Sequence, residues 1–133
     1  MRPSPARSGA GTPQSTGNDY VTMRMLSVLE YLDRAGSSPF AAWFQSLDVA
    51  AAAKVTTALQ RLELGHFSNV KGVGAGVFEY RIDFGPGYRV YFGKDGDAVV
   101  ILLGGGTKKR QDRDIAMAHD RWVDYKKRKT EEK

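Results

Sequence analysis

Residues 78–92 read Phe78-Glu79-Tyr80-Arg81-Ile82-Asp83-Phe84-Gly85-Pro86-Gly87-Tyr88-Arg89-Val90-Tyr91-Phe92, and the alternation in this stretch decides the fold. Phe78, Tyr80, Ile82 and Phe84 alternate with Glu79, Arg81 and Asp83, the period of a half-buried β-strand. Gly85-Pro86-Gly87 supplies a turn, and Tyr88–Phe92 returns as a second strand. Pairing Phe84 with Tyr88 sets Asp83 opposite Arg89 and Arg81 opposite Tyr91. Glu79, Arg81, Arg89 and Tyr91 then share one sheet face. Phe78, Tyr80, Val90 and Phe92 share the other, which is expected to pack beneath helices.

Toward the C-terminus, Asp95-Gly96 signals a second hairpin of type I′. Ala98–Leu103 is nearly continuously apolar and is expected to be a central strand, ended by Gly104-Gly105-Gly106. Ile115, Ala118, Trp122 and Tyr125 then fall on one face of a terminal helix at roughly 111–127. Toward the N-terminus, residues 66–76 form a glycine-containing loop. Before it, Ala51, Val55, Leu59 and Leu62 make one apolar stripe of a helix at roughly 49–64, capped by Asp48 and stopped by Gly65. Ser38 reads as the N-cap of a preceding helix with Pro39 in its first turn, running to about Leu47. Residues 24–32 fit an edge strand or a short helix. The expected fold class is α+β: two N-terminal helices packed on a three- to four-stranded antiparallel sheet, with a C-terminal helix.

The chain has 133 residues and no cysteine, enough for one cored domain without disulfides or thiolate chemistry. Residues 1–22 are rich in Pro, Ser, Gly and Thr and read as a disordered tail. Residues 23–128 form the domain, and 129–133 a charged tail. The sequence shows neither a secretory apolar stretch nor a run long enough to span a bilayer, so a cytoplasmic protein without membrane association is expected. Of the net charge of +5, residues 23–106 contribute nothing, whereas 107–133 carry ten basic and six acidic residues. That imbalance suggests a polyanionic partner, although a solvated basic helix face accounts for it equally well.

The polar sheet face gathers two guanidinium groups, a carboxylate and a phenol. Loops bearing Lys71 and Lys108-Lys109-Arg110 lie at the ends of the same strands and are placed to overhang it. The plainer alternative is an ordinary cross-strand Asp83–Arg89 ion pair on a solvated face. His66 and His119 have no ligand-spaced partners, which argues against zinc. Gly104-Gly105-Gly106 lacks the Lys-Ser/Thr ending of a phosphate loop. No Gly-x-Ser-x-Gly nucleophile motif occurs.

The 78–92 block, together with Leu62-Glu63-Leu64-Gly65, Asn69-Val70-Lys71 and Leu102-Leu103-Gly104-Gly105-Gly106, resembles the RelE/HigB superfamily. More narrowly, it is similar to the phage-related "addiction module killer protein" branch, over about residues 24–126. The resemblance implies a type II toxin that cleaves mRNA on the ribosome, with the RNA 2′-hydroxyl as nucleophile and neither metal nor cofactor. It favours a strand at 24–32. It implies that Arg89 binds the scissile phosphate, that Arg81 shares this work, and that Glu79 is either the general base or a neutralising partner of Arg81. Lys71, Tyr91, Lys108, Lys109 and Arg110 are the implied further RNA or phosphate contacts. The family's C-terminal catalytic tyrosine or histidine has no counterpart, since Ile115 falls near that region. The implied partner is a helix-turn-helix antitoxin, through which operator DNA would be bound. The alternatives are a ParE-like gyrase inhibitor without nuclease activity and an inactive relative that binds only antitoxin or DNA.

Overall fold

The computed structural model describes residues 25–132, so the expected tail at 1–22 lies outside the described residues. The elements run β1 (Ser27–Glu30), α1 (Pro39–Gln45), α2 (Val49–Glu63), β2 (Val70–Gly72), β3 (Val77–Ile82), β4 (Tyr88–Asp95) and β5 (Val99–Thr107). A 3-10 turn at Lys108–Arg110 leads into α3 (Gln111–Glu131). The helices start where the local chemistry directs. Ser38 Oγ accepts from the Ala41 N–H at 2.9 Å, and Asp48 Oδ1 from the Ala51 N–H at 2.8 Å, each satisfying a donor of a first turn. Gly65 follows α2 at φ +78°, the left-handed stop that glycine adopts without steric cost.

The α+β class with two early helices and one terminal helix matches the expectation. The sheet does not. It has five strands in the order β1-β5-β4-β3-β2, and β1 runs parallel to β5. The sheet is therefore mixed, not a three- to four-stranded antiparallel meander. Two strands escape local reading: β1 pairs with a strand some seventy residues later in the chain (Ser27 with Val99), and β2 is three residues inside the glycine-rich 66–76 stretch. Of the two options for the 24–32 stretch, the structure forms the strand.

The central hairpin is registered two residues away from expectation. Ile82 pairs with Tyr88, Arg81 with Arg89, and Glu79 with Tyr91. Phe84 is consumed by the turn: its N–H bonds to the Ile82 carbonyl, and its own carbonyl accepts from Gly87. Asp83 therefore leaves the ladder, and the expected Asp83–Arg89 pairing does not form. Because strand side chains alternate with a period of two, an even slip leaves every side chain on its predicted face. The second hairpin also differs from type I′. Asp95 pairs with Val99 around a three-residue loop, and of its residues Gly96 alone has positive φ.

Both faces of the sheet are covered. On one, Tyr80, Ile82, Val90, Phe92, Val100 and Leu102 pack against Phe40, Val55, Ala58 and Leu62 of α1 and α2. On the other, Val77, Tyr91, Ile101 and Leu103 pack against Ala118 and Trp122 of α3, with Ile115 and Tyr125 alongside. The predicted stripe of α3 is thus confirmed, and the helix runs on to Glu131, past the expected end near 127. Where it docks overturns an expectation: it lies over the face that carries Glu79, Arg89 and Tyr91.

Gly104-Gly105-Gly106 does not end β5 but lies within it. A methyl group on Gly105 would overlap the indole of Trp43 in α1, and one on Gly106 would overlap the carboxylate of Asp114 in α3. The glycines let helices on opposite faces approach the same strand closely.

Candidate functional site

The site grows from the β3–β4 ladder. Arg81 and Arg89 are direct cross-strand partners, and Glu79 and Tyr91 are partners one alternation further along. Directly opposed residues hold their Cβ atoms about 5 Å apart. Rigid ladder geometry therefore places two cations, a carboxylate and a phenol within one short stretch of sheet. Lys71 continues the row, since it pairs with Glu79 from the β2 side.

α3 divides this row into a covered part and an open part. Glu79 is fully buried, Arg89 is 4% exposed and Tyr91 1%. Arg89 Nε lies 3.9 Å from Glu79 Oε2, an ion pair outside ordinary hydrogen-bond reach. Its Nη1 donates to the Tyr88 carbonyl at 3.1 Å. Gln111, the first residue of α3, donates from Nε2 to Glu79 Oε1 at 2.8 Å. Glu79 Oε2, Arg89 Nε and the Tyr91 hydroxyl are buried without a hydrogen-bond partner. Each such group costs ~1–3 kcal/mol relative to a satisfied one, so this is an energetically tense arrangement. It lies between the sheet and the start of α3, and Tyr91 is itself part of the apolar cluster that packs against that helix.

Burial pushes the Tyr91 phenol well above its ordinary range, and the negative charges of Glu79 and Asp114 add to the effect. The phenol is therefore held neutral and keeps its proton. Asp114, one turn into α3, is also raised by burial, against the pull of Arg110, Arg113 and Arg121.

The expected site residues are thus only partly brought together. Glu79, Arg89 and Tyr91 cluster beneath α3. The expectation that they lie on an open face is corrected, because the apolar stripe of α3 must be buried and this face is where it docks. Lys108 joins the margin of the cluster: its N–H bonds to the Gly87 carbonyl at 2.9 Å, just before the strand that carries Arg89. Lys109 and Arg110 are exposed on the same 3-10 turn. Arg81 and Lys71 stay exposed on the uncovered part of the row and line clefts at the β2–β3 edge. Sequence reasoning does not single out Gln111 and Asp114. The one hint is a polar residue and two acids opening a helix after three basic residues. Among the described residues, no cluster of three or more His, Cys, Asp or Glu side chains is arranged to hold a metal ion. No described helix is long and apolar enough to cross a membrane.

Residues 42–123 match the family described as "Phage derived protein Gp49-like (DUF891)". A protein of Haemophilus influenzae, itself described only as uncharacterized, is 45% identical over 80 residues, covering 59% of this chain and 81% of its own length.

Proposed function

The chain belongs to the Gp49-like family of phage-derived proteins, which is associated with toxin–antitoxin systems, and from that premise we propose that it is a toxin acting as a metal-independent endoribonuclease. The observation that carries the proposal is the Glu79–Arg89–Tyr91 cluster. It combines a carboxylate, a permanent cation and a protonated phenol on alternate rungs of one ladder.

Those three groups match the needs of RNA transesterification. Glu79 takes the proton of the 2′-hydroxyl, whose oxygen forms a bond to the adjacent phosphorus. Arg89 neutralises charge on the non-bridging oxygens; its planar fork suits two of them at once. The bond from phosphorus to the 5′-oxygen breaks, and Tyr91 returns a proton to that oxygen. The products are a cyclic phosphate and a 5′-hydroxyl. Tyr91 takes the place of the C-terminal acid that the resemblance leads one to seek near Ile115.

As folded here, the cluster is closed, and cleavage requires the first turn of α3 to lift. The Gln111–Glu79 hydrogen bond must break for that to happen. The proposed partner is an antitoxin that holds the toxin inactive, and the proposed substrate is mRNA, met on the ribosome.

The burial of Glu79 and Arg89 favours one further reading, a toxin of this fold that inhibits its target by binding alone. Expression without antitoxin separates the two. The nuclease reading expects growth arrest with cut transcripts, whereas arrest with intact transcripts supports the binding toxin.

A further inference from the structure

On the sheet face opposite the Glu79–Arg89 cluster, at the margin of the core shared with α1 and α2, an apolar cleft of about 180 Å3 opens beside β2. Phe67, Val70, Phe78 and Phe92 line it, and the Phe78 and Phe92 rings stack with their centres 5.6 Å apart. Phe67, Val70 and Phe78 are only half-buried, so the core is left open here. Gly72 adds to the lining, and a methyl group on it would meet only the Phe78 ring, at 4.0 Å. Lys71 and Lys94 complete it, and no acidic side chain takes part. The Lys94 ammonium sits 5.1 Å from the centre of the Phe67 ring, which holds the charge at the mouth. Neither lysine joins an ion pair among the described residues. Asp95, the next residue of β4, turns to α3 instead and accepts from the Tyr125 hydroxyl at 2.7 Å.

The cleft adjoins an open strand edge, because β2 ends the sheet. The Arg81 N–H donates to the Asn69 carbonyl at 3.0 Å, and the Val73 N–H to the Val77 carbonyl at 2.9 Å. Asn69 and Val73 thus turn toward β3, and alternation sends the backbone groups of Gly72 and the carbonyl of Val70 outward. Such an edge pairs readily with an added extended chain. We infer that β2 and this cleft dock an extended acidic segment of a partner protein. The segment adds a strand to the sheet and seats one bulky apolar side chain against Phe67, Phe78 and Phe92. Side chains of an added strand alternate between the two sheet faces. Acids on the cleft face meet Lys94, and acids on the other face meet Lys71. The inference does not rest on the nuclease reading, since a segment docked here leaves α3 and the cluster beneath it untouched.

Single-stranded RNA fits this place less well. Its bases need a free aromatic face, whereas Phe78 and Phe92 stack on each other and Phe67 carries the Lys94 ammonium. RNA also lacks the alternating N–H and C=O groups that match an edge strand. A second copy of this chain is a poor occupant too. Pairing β2 with itself would set Lys71 beside the same lysine of the other copy, and like charges opposed across a ladder are destabilising.

The test starts with the labelled full chain on an array of peptides of ~9 residues, long enough for one strand. Each has Leu, Phe or Trp at its centre and Asp or Glu on either side, and a second array carries Lys in place of the acids. The acidic array should hold binders and the lysine array none. The tightest binder, synthesised with fluorescein, is then titrated by anisotropy. Lys94→Glu should weaken it at least about tenfold through lost charge complementarity. Gly72→Leu, whose side chain fills the cleft, should weaken it at least about tenfold as well. Lys127→Glu, the same charge change on α3 away from the cleft, should follow wild type. Hydrogen exchange at the Gly72 amide should slow when the peptide is bound. Thermal unfolding checks each variant, and should Gly72→Leu fail to fold, the exposed Lys94→Glu decides alone. A wild-type chain that binds no acidic peptide overturns the inference, as does binding that the cleft variants leave unchanged. Cleft variants that lose a single-stranded RNA of ~12 nucleotides but keep the peptide also overturn it and make the cleft a nucleic-acid site. Tight peptide binding by a chain that never cuts RNA would leave this inference standing and remove the nuclease instead.

Discussion

Arg81 and Arg89 face each other across one rung of the β3–β4 ladder, yet the first is exposed while the second is sealed against Glu79 beneath α3. The same residue type on adjacent strands thus serves two environments. Arg81 can meet a solvated phosphate directly. Arg89 is reached only if α3 gives way.

The buried pair sets the first expectation. Arg89→Ala leaves the Glu79 carboxylate buried without its counter-charge, a change that costs ~3–5 kcal/mol when a buried pair is broken. Replacing both residues, as Glu79→Leu/Arg89→Met, should recover most of that loss, because two charges no longer need desolvation. Urea unfolding of the two single variants and the double variant measures the cycle. A double variant as unstable as the worse single one would show that the pair is not coupled.

Gln111 gives the second. Gln111→Ala removes the hydrogen bond to Glu79 Oε1 and should destabilise the chain by ~1–3 kcal/mol. Hydrogen exchange should quicken at the amides of residues 108–114 while β4 and β5 stay protected. Uniform loss of protection would mean that the start of α3 does not open as a local unit.

Asp114 supplies a pH dependence with a definite sign. Its folded pKa lies above the ordinary value of 3.8 because burial disfavours the charged form. Its proton therefore binds more tightly in the folded state than in the unfolded one. The stability this contributes is fully present below pH 3.8 and is lost as pH rises through the folded pKa. Asp114→Asn lacks that dependence, so its stability relative to wild type should rise between acid and neutral pH. Thermal unfolding at both ends of the range reads the difference, and a constant difference contradicts the assignment.

Close packing at β5 sets a fourth expectation. Gly105→Ala places a methyl group in the Trp43 ring, and overpacking of this kind costs ~1–3 kcal/mol. Trp43→Leu in the same chain should relieve part of the strain, so the two substitutions should combine to less than their sum. Strict additivity in denaturant unfolding would place the strain elsewhere.

The alternation at 78–92 is local and strong, so the strands and the faces of Glu79, Arg81, Arg89 and Tyr91 are legible in the sequence alone. The register is not, because Phe84 is free to join either ladder or turn, and only the loop's own hydrogen bonds decide. Gly104-Gly105-Gly106 reads as a stop because glycine most often marks a turn. The reason for these glycines, an indole on one side and a carboxylate on the other, lies in α1 and α3 and has no local signature. The apolar stripe of α3 is visible, but a stripe does not say which surface it will cover. That single unknown separates the open site expected from the closed one found.

The central claim is that Arg89, with Glu79 and Tyr91, cuts RNA through the 2′-hydroxyl. It is tested most directly by mapping the ends of transcripts in translating extracts given wild type or Arg89→Lys, which keeps the buried charge but loses the planar fork. The account predicts new breaks bearing a cyclic phosphate and a 5′-hydroxyl with wild type, and their loss in a variant that still unfolds cooperatively. Intact transcripts with toxic wild-type protein, or breaks bearing a 5′-phosphate, would contradict it.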